Sequence, residues 1–139
     1  MITLKLFAST LAVFLSLEIL WLGFIAKSFF MNCLGPIGRI ENGEFKIIYG
    51  AAAIVYLLMA ASLIYFVLPR VSRDQSLLVA AGWGALMGLC VYGVFDFTNY
   101  AILKDYPLSM VLVDMSWGTF LYAVTTAAVK FLRDQFFVS

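Results

Sequence analysis

There is no histidine among the 139 residues, and charged side chains make up only 12% of them. Without imidazole, haem ligation through His, the common His-containing zinc sites and a Ser-His-Asp triad are excluded together. The shortage of charge excludes a water-soluble domain, in which about a quarter of residues are charged. A formal net charge of +1 leaves no basic stripe for nucleic acid. Cysteine is scarce as well: Cys33 follows the first apolar segment and Cys90 lies midway along the third. Their sulfurs are expected at different depths and unpaired, with Cys90 read as a small core residue. No cofactor is expected.

What remains is apolar: 64% of the chain is hydrophobic, arranged in four runs, about 4–26, 47–68, 77–101 and 108–130. At 1.5 Å per residue each exceeds or approaches the ~30 Å of a hydrocarbon core. The expectation is an all-α integral membrane protein, a bundle of four transmembrane helices in a single membrane domain, 1–139, with both termini on one side. Lys5 followed by a greasy run resembles a secretory leader, but the run is too long for one and carries Glu18, so it is read as a retained span.

Between the first two spans lie Gly35-Pro36, Gly38 and Asn42-Gly43, all turn chemistry, with room for a short interfacial helix around Phe29, Phe30 and Met31. The second span ends at Pro69. Its Gly50, Ala51, Ala52, Ala53, Ala60, Ala61 and Ser62 offer a flat surface for close packing. Ser76 is placed to cap the third span, and Pro107 stands where a fourth helix begins. Gly84-x-x-x-Gly88 allows close backbone approach, and continuing that stripe by fours leads to Tyr92, Asp96 and Tyr100, with Asn99 beside them. In the fourth span Asp114, Gly118, Leu121, Thr125 and Ala128 share a stripe, and Lys130, Arg133 and Asp134 are expected in water. The terminal side with the second loop holds Lys5, Arg70, Arg73, Lys130 and Arg133; the other side holds Lys27, Arg39, Lys46 and Lys104. Positive-inside reasoning thus favours cytoplasmic termini by a single charge.

Three acids sit inside these apolar runs. Measured inward from the non-terminal ends of their helices, Glu18 is roughly 12 Å deep, Asp114 roughly 9 Å and Asp96 roughly 8 Å. One slab therefore receives all three. An ionised Asp at the centre of a lipid-facing helix costs roughly 2.5–3.5 kcal/mol, so the acids are expected to line a water-accessible cavity open to the non-terminal side, with at least one carboxyl protonated. The candidate substrate- or ion-binding residues are Glu18, Trp21, Tyr92, Asp96, Thr98, Asn99, Asp114 and Trp117. Any metal would fall to Asp96, Asp114 and Glu18. Plainer roles compete: Asp96, Thr98 and Asn99 as helix-end caps, Asp114 as a hydrogen-bonding tie, Glu18 paired with Lys46, and Trp21, Trp83 and Trp117 as anchors or packing residues. Glu18-x-x-Trp21 and Asp114-x-x-Trp117 repeat an acid and an indole one turn apart on opposed helices, a trace of internal pseudo-symmetry.

Glu18-Ile-Leu-Trp21-Leu22-Gly23, Gly88 with Tyr92-Gly-Val-Phe-Asp96-Phe-Thr98-Asn99-Tyr100-Ala101, and Asp114-Met-Ser-Trp117-Gly118 resemble a family of small, predicted membrane proteins, mainly bacterial, classed as a domain of unknown function. The resemblance covers nearly the whole chain and is most specific in the aspartate-to-asparagine segment. That family's first acid is usually aspartate; Glu18 keeps the carboxyl and lengthens its arm by a methylene. The resemblance implies the architecture and the site, and the expected location is a bacterial inner membrane. It implies no substrate.

Three functions compete. The preferred one is a proton- or cation-linked small transporter, working at least as a homodimer because four spans hardly enclose an alternating path. The second is a membrane-embedded enzyme acting on a lipid, its carboxylates serving as acid and base or holding magnesium or manganese. The third is a non-catalytic assembly or sensing partner. The expected partners are the lipid bilayer, a second copy, and a proton or small cation.

Overall fold

A computed structural model describes residues 2–137. Four of its helical segments are long and apolar enough to cross a membrane: Thr3–Ile25, Tyr49–Arg70, Leu77–Ile102 and Leu108–Phe137. Four crossings return the chain to the side from which it starts. Large apolar side chains cover the outside of the bundle, among them Leu4, Phe24, Leu78, Val94 and Ile102. In a membrane protein this surface is the one that meets acyl chains.

The first span is α1 (Ile2–Leu20), which widens at Trp21–Ile25 into a turn with i→i+5 hydrogen bonding, closed by Ala26 N–H donating to Trp21 O at 2.7 Å. Such widened turns recur at functional positions in helices. The short helix expected after the first span is α2 (Lys27–Leu34). It leads into a short hairpin, β1 (Ile40–Glu41) and β2 (Glu44–Phe45), paired antiparallel with Glu41 opposite Glu44. Asn42 at φ 53° and Gly43 at φ 79° form its two-residue turn. Both central positions need positive φ in this turn, which is why Asn-Gly signals it. Lys46 pairs with Glu41 at 2.8 Å across this exposed hairpin, so it is not the partner of Glu18.

The second span is α3 (Tyr49–Ser62), extended by a wide turn at Leu63–Val67 and a tight one at Leu68–Arg70 containing Pro69. The third is α4 (Leu77–Ile102), whose Ser76 Oγ accepts from Val79 N–H at 3.3 Å. The fourth is α5 (Leu108–Leu132), with Pro107 at the capping position, continued by a wide turn over Arg133–Phe137.

The dominant contact is α4 against α5, and glycine explains it. A Cβ at Gly84 would run into Tyr122 O, one at Gly88 into Gly118 O, and one at Gly118 into the Tyr92 ring. Without a hydrophobic effect between helices in lipid, such close backbone approach supplies the dispersion contact that holds them. The flat surface expected on the second span plays a smaller part: Gly50, Ala51 and Ala53 are exposed. α3 packs on α1, and its contact with α4 is concentrated at Leu63–Val67, so the two helices part toward the non-terminal side.

Three expectations change with the packing. Cys90 is exposed on the outside of the bundle, not in its core, although both cysteines are free. Tyr100 is exposed too, because a stripe taken by fours drifts about 40° per step and has turned away by that point. Lys130 does not sit in water but is 3% exposed. It reaches Asp134 at 2.5 Å and Arg73 O at 3.2 Å, while Arg133 donates to Val71 O at 2.9 Å. These bonds tie the end of the last span to the loop between α3 and α4, and satisfy carbonyls that the turns leave free.

Candidate functional site

All three acids are inside: Glu18 is 6% exposed, Asp96 0% and Asp114 7%. They form two linked groups. In the first, Glu18 Oε1 accepts from Tyr92 Oη at 2.8 Å and from Trp117 Nε1 at 3.2 Å. α1, α4 and α5 thus meet on one carboxylate oxygen. In the second, Asp96 on α4 and Asp114 on α5 are neighbours, and Tyr106 Oη donates to Asp96 Oδ1 at 2.6 Å. Tyr92 joins the groups, since its ring packs over Gly118, one turn beyond Asp114.

No lysine or arginine pairs with any of the three acids among the described residues. Asp96 Oδ2 is buried with no donor to it, and no described donor reaches Asp114. Two neighbouring carboxyls titrate as a coupled pair and are able to share one proton.

The two acid-and-indole repeats meet directly. Trp21 and Trp117 stack with centroids 4.4 Å apart and planes 5° from parallel. The symmetry stops there. Trp117 Nε1 bonds Glu18, whereas Trp21 Nε1 is buried with no acceptor, and Asp114 turns to Asp96.

Of the residues proposed from sequence, Glu18, Trp21, Tyr92, Asp96, Asp114 and Trp117 come together. Asn99 is half-buried and lies close to the Tyr106 hydroxyl. Thr98 is exposed and faces away from the cluster, two residues past Asp96 and so nearly opposite it on the helix. Tyr106 is the residue that sequence reasoning missed. It sits in the loop after α4, buried with Met110 and Val111 against Phe29, Phe30 and Leu34, and covers Asp96 on the non-terminal side. Its place before Pro107 was the available signal, because the residue before proline is biased away from the helical region, which leaves Tyr106 in the short loop at the end of α4. Burial and the adjoining carboxyl push the Tyr106 hydroxyl above the usual phenol range, so it remains a donor at any physiological pH. Tyr106→Phe is therefore expected to leave Asp96 Oδ1 bare and to cost about 1–3 kcal/mol of stability. An infrared shift of the Asp96 carboxyl band accompanies that loss; an unmoved band would mean the hydroxyl does not bond it.

Two hollows converge on Asp114. One, of about 510 Å³, lies between α3 and α4 and has Asp114 and Tyr122 as its floor. The other, of about 270 Å³, runs past Tyr56 to Glu18 and shares Val55, Met59, Tyr92 and Asp114 with the first. Both are open on the flank of the bundle. Among the described residues no cluster of three His, Cys, Asp or Glu side chains gathers closely enough to hold a metal ion.

A family model described as Predicted membrane protein (DUF2177) matches residues 3–131. The chain belongs to this family. The match takes in every acid and aromatic residue of the cluster, so the DUF2177 region contains the whole candidate site. No curated protein and no solved structure matches this DUF2177 chain.

Proposed function

We propose that the protein is a proton-linked transporter of cations, with Asp114 as the binding carboxyl and Asp96 as its proton-sharing partner. The observation that carries the reading is the absence of a basic partner: the three buried acids meet hydroxyls, an indole N–H and one another, but no lysine or arginine among the described residues. Buried carboxylates without a counter-ion are costly. Something positive must come to them, and the choices are a proton or a cation.

Exchange follows from that competition. When a cation pairs with the Asp114 carboxylate, the proton held between Asp114 and Asp96 leaves to water, and the site's net charge is unchanged. Return of the proton expels the cation. Glu18, already accepting two hydrogen bonds, lines the smaller hollow together with Asp114. A four-span bundle has no second half to move against, so the reading includes a homodimer. It sits in a bacterial inner membrane with cytoplasmic termini, in line with the five-to-four distribution of Lys and Arg.

Proton release is the direct test. In weakly buffered nanodiscs, adding a transported cation is expected to acidify the medium by up to one proton per protein, and in proteoliposomes a pH gradient is expected to drive the cation uphill. Alkali cations, tetramethylammonium and tetraphenylphosphonium form the first panel. If none of them releases protons or moves with the gradient, the reading fails.

A further inference from the structure

The larger hollow has the wrong walls for a hydrated metal cation. Val55, Leu58, Met59, Val91 and Phe95 line it, with Ser62, Tyr92 and Tyr122 as its uncharged polar residues and Asp114 as its one acid among the described residues. Its mouth faces sideways. Leu58 is 65% exposed and Val55 52%, both on the flank where α3 leaves α4, a surface that faces acyl chains in the membrane. At about 510 Å³ the hollow is the size of a site for a small organic molecule. Tyr106, packed with Met110 and Val111 against α2, covers Asp96, which lines neither hollow.

Resting on the exchange reading, we infer that the ligand is a lipophilic organic cation that enters laterally from the bilayer between α3 and α4, lays its apolar part along Val55, Leu58, Val91 and Phe95, and sets its charge on Asp114. Three independent features agree on this chemistry. The walls suit apolar groups, the floor is a carboxyl more than nine-tenths buried with no side-chain donor among the described residues, and the aromatic residues Tyr92 and Phe95 are part of the lining around that floor. A neutral lipid tail would fill the walls and leave the acid unanswered. A small inorganic cation would answer the acid and leave the walls dry.

Tetraphenylphosphonium and tetramethylammonium separate these cases, because they carry the same charge and differ in apolar surface. Binding is measured by equilibrium dialysis on the full chain in nanodiscs, with empty nanodiscs subtracted. Tetraphenylphosphonium is expected to bind saturably, with proton release, and at least about ten-fold more tightly than tetramethylammonium. Leu58→Trp, a substitution on the lipid-facing flank that leaves the helix contacts intact, is expected to narrow the mouth and weaken tetraphenylphosphonium binding about ten-fold or more. Equal binding of the two cations, or unaltered tetraphenylphosphonium binding in L58W, overturns the lateral site. If tetraphenylphosphonium does not bind while tetramethylammonium or potassium still moves protons, the ligand class is wrong and the exchange reading stands. If no cation moves protons, both fall.

Discussion

Gly88→Leu is expected to part the third and fourth spans. A Cβ at this position meets Gly118 O, and lies 2.9 Å from Gly118 C and 2.9 Å from Tyr122 Cβ. Two of these atoms are backbone, which cannot swing aside as a side-chain tip does, so the helices themselves must separate. Overpacking a core commonly costs about 1–3 kcal/mol, and a backbone-to-backbone collision at the largest helix contact belongs at the top of that range or beyond it. The same displacement carries Asp96 away from Asp114, since these residues lie further along the same two helices. Gly82→Leu is the matched control. Gly82 is exposed, and a Cβ added there would meet nothing within 4 Å, so the change is expected to stay within about 0.5 kcal/mol of native. Thermal unfolding in a mild detergent reads both variants; equal melting would show that the α4–α5 interface is not where the glycines place it.

The second large effect falls on Asp114. Asparagine has nearly the same shape, and its amide donates to Asp96, so D114N keeps the contact between α4 and α5 while removing the shared proton and the charge at the floor of the hollow. Fold and function should separate: unfolding stays close to native, and cation-induced proton release is lost by about 100-fold or more, as for a buried charge pair broken at one partner. Asp96→Asn probes a different role. Asp96 lines neither hollow and is held by Tyr106, so D96N is expected to retain cation binding and to shift the pH at which the cation displaces a proton. A D114N protein that still releases protons on cation binding would move the site elsewhere, toward Glu18.

Much of the architecture is legible before any coordinates. The run lengths identify the four spans because the bilayer thickness sets the count of apolar residues. Pro69 and Pro107 mark span ends because proline lacks the N–H that a helix interior needs. Gly84, Gly88 and Gly118 show where backbones can approach, and Asp96 and Asp114 share faces with them. Counting residues inward from the helix ends brings Glu18, Asp96 and Asp114 to one level, and in the fold they meet there.

Other parts are out of its reach. Helix rotation at a helix end depends on accumulated twist, so the stripe that correctly carries Asp96 inward carries Tyr100 along with it, although Tyr100 faces out. Thr98 has the polarity of a site residue and the wrong angle. Residue type alone puts Cys90 inside, and says little when lipid accepts a thiol as readily as a core does. An isolated lysine prefers water, which is why Lys130 is expected there; Asp134 one turn on and the carbonyl of Arg73, distant in the sequence, make its burial acceptable.

Periodicity and apolar run length, both local properties, by themselves determined that this chain crosses a membrane four times and that three acids ride on helix faces at a common depth. Which donor each acid receives, that Tyr106 closes over Asp96, and that α3 and α4 part to open a hollow onto Asp114 were decided only by the tertiary structure. The reason is physical: hydrogen bonds and clefts depend on distances between helices, and those distances are set by the mutual fit of side chains that no single segment carries.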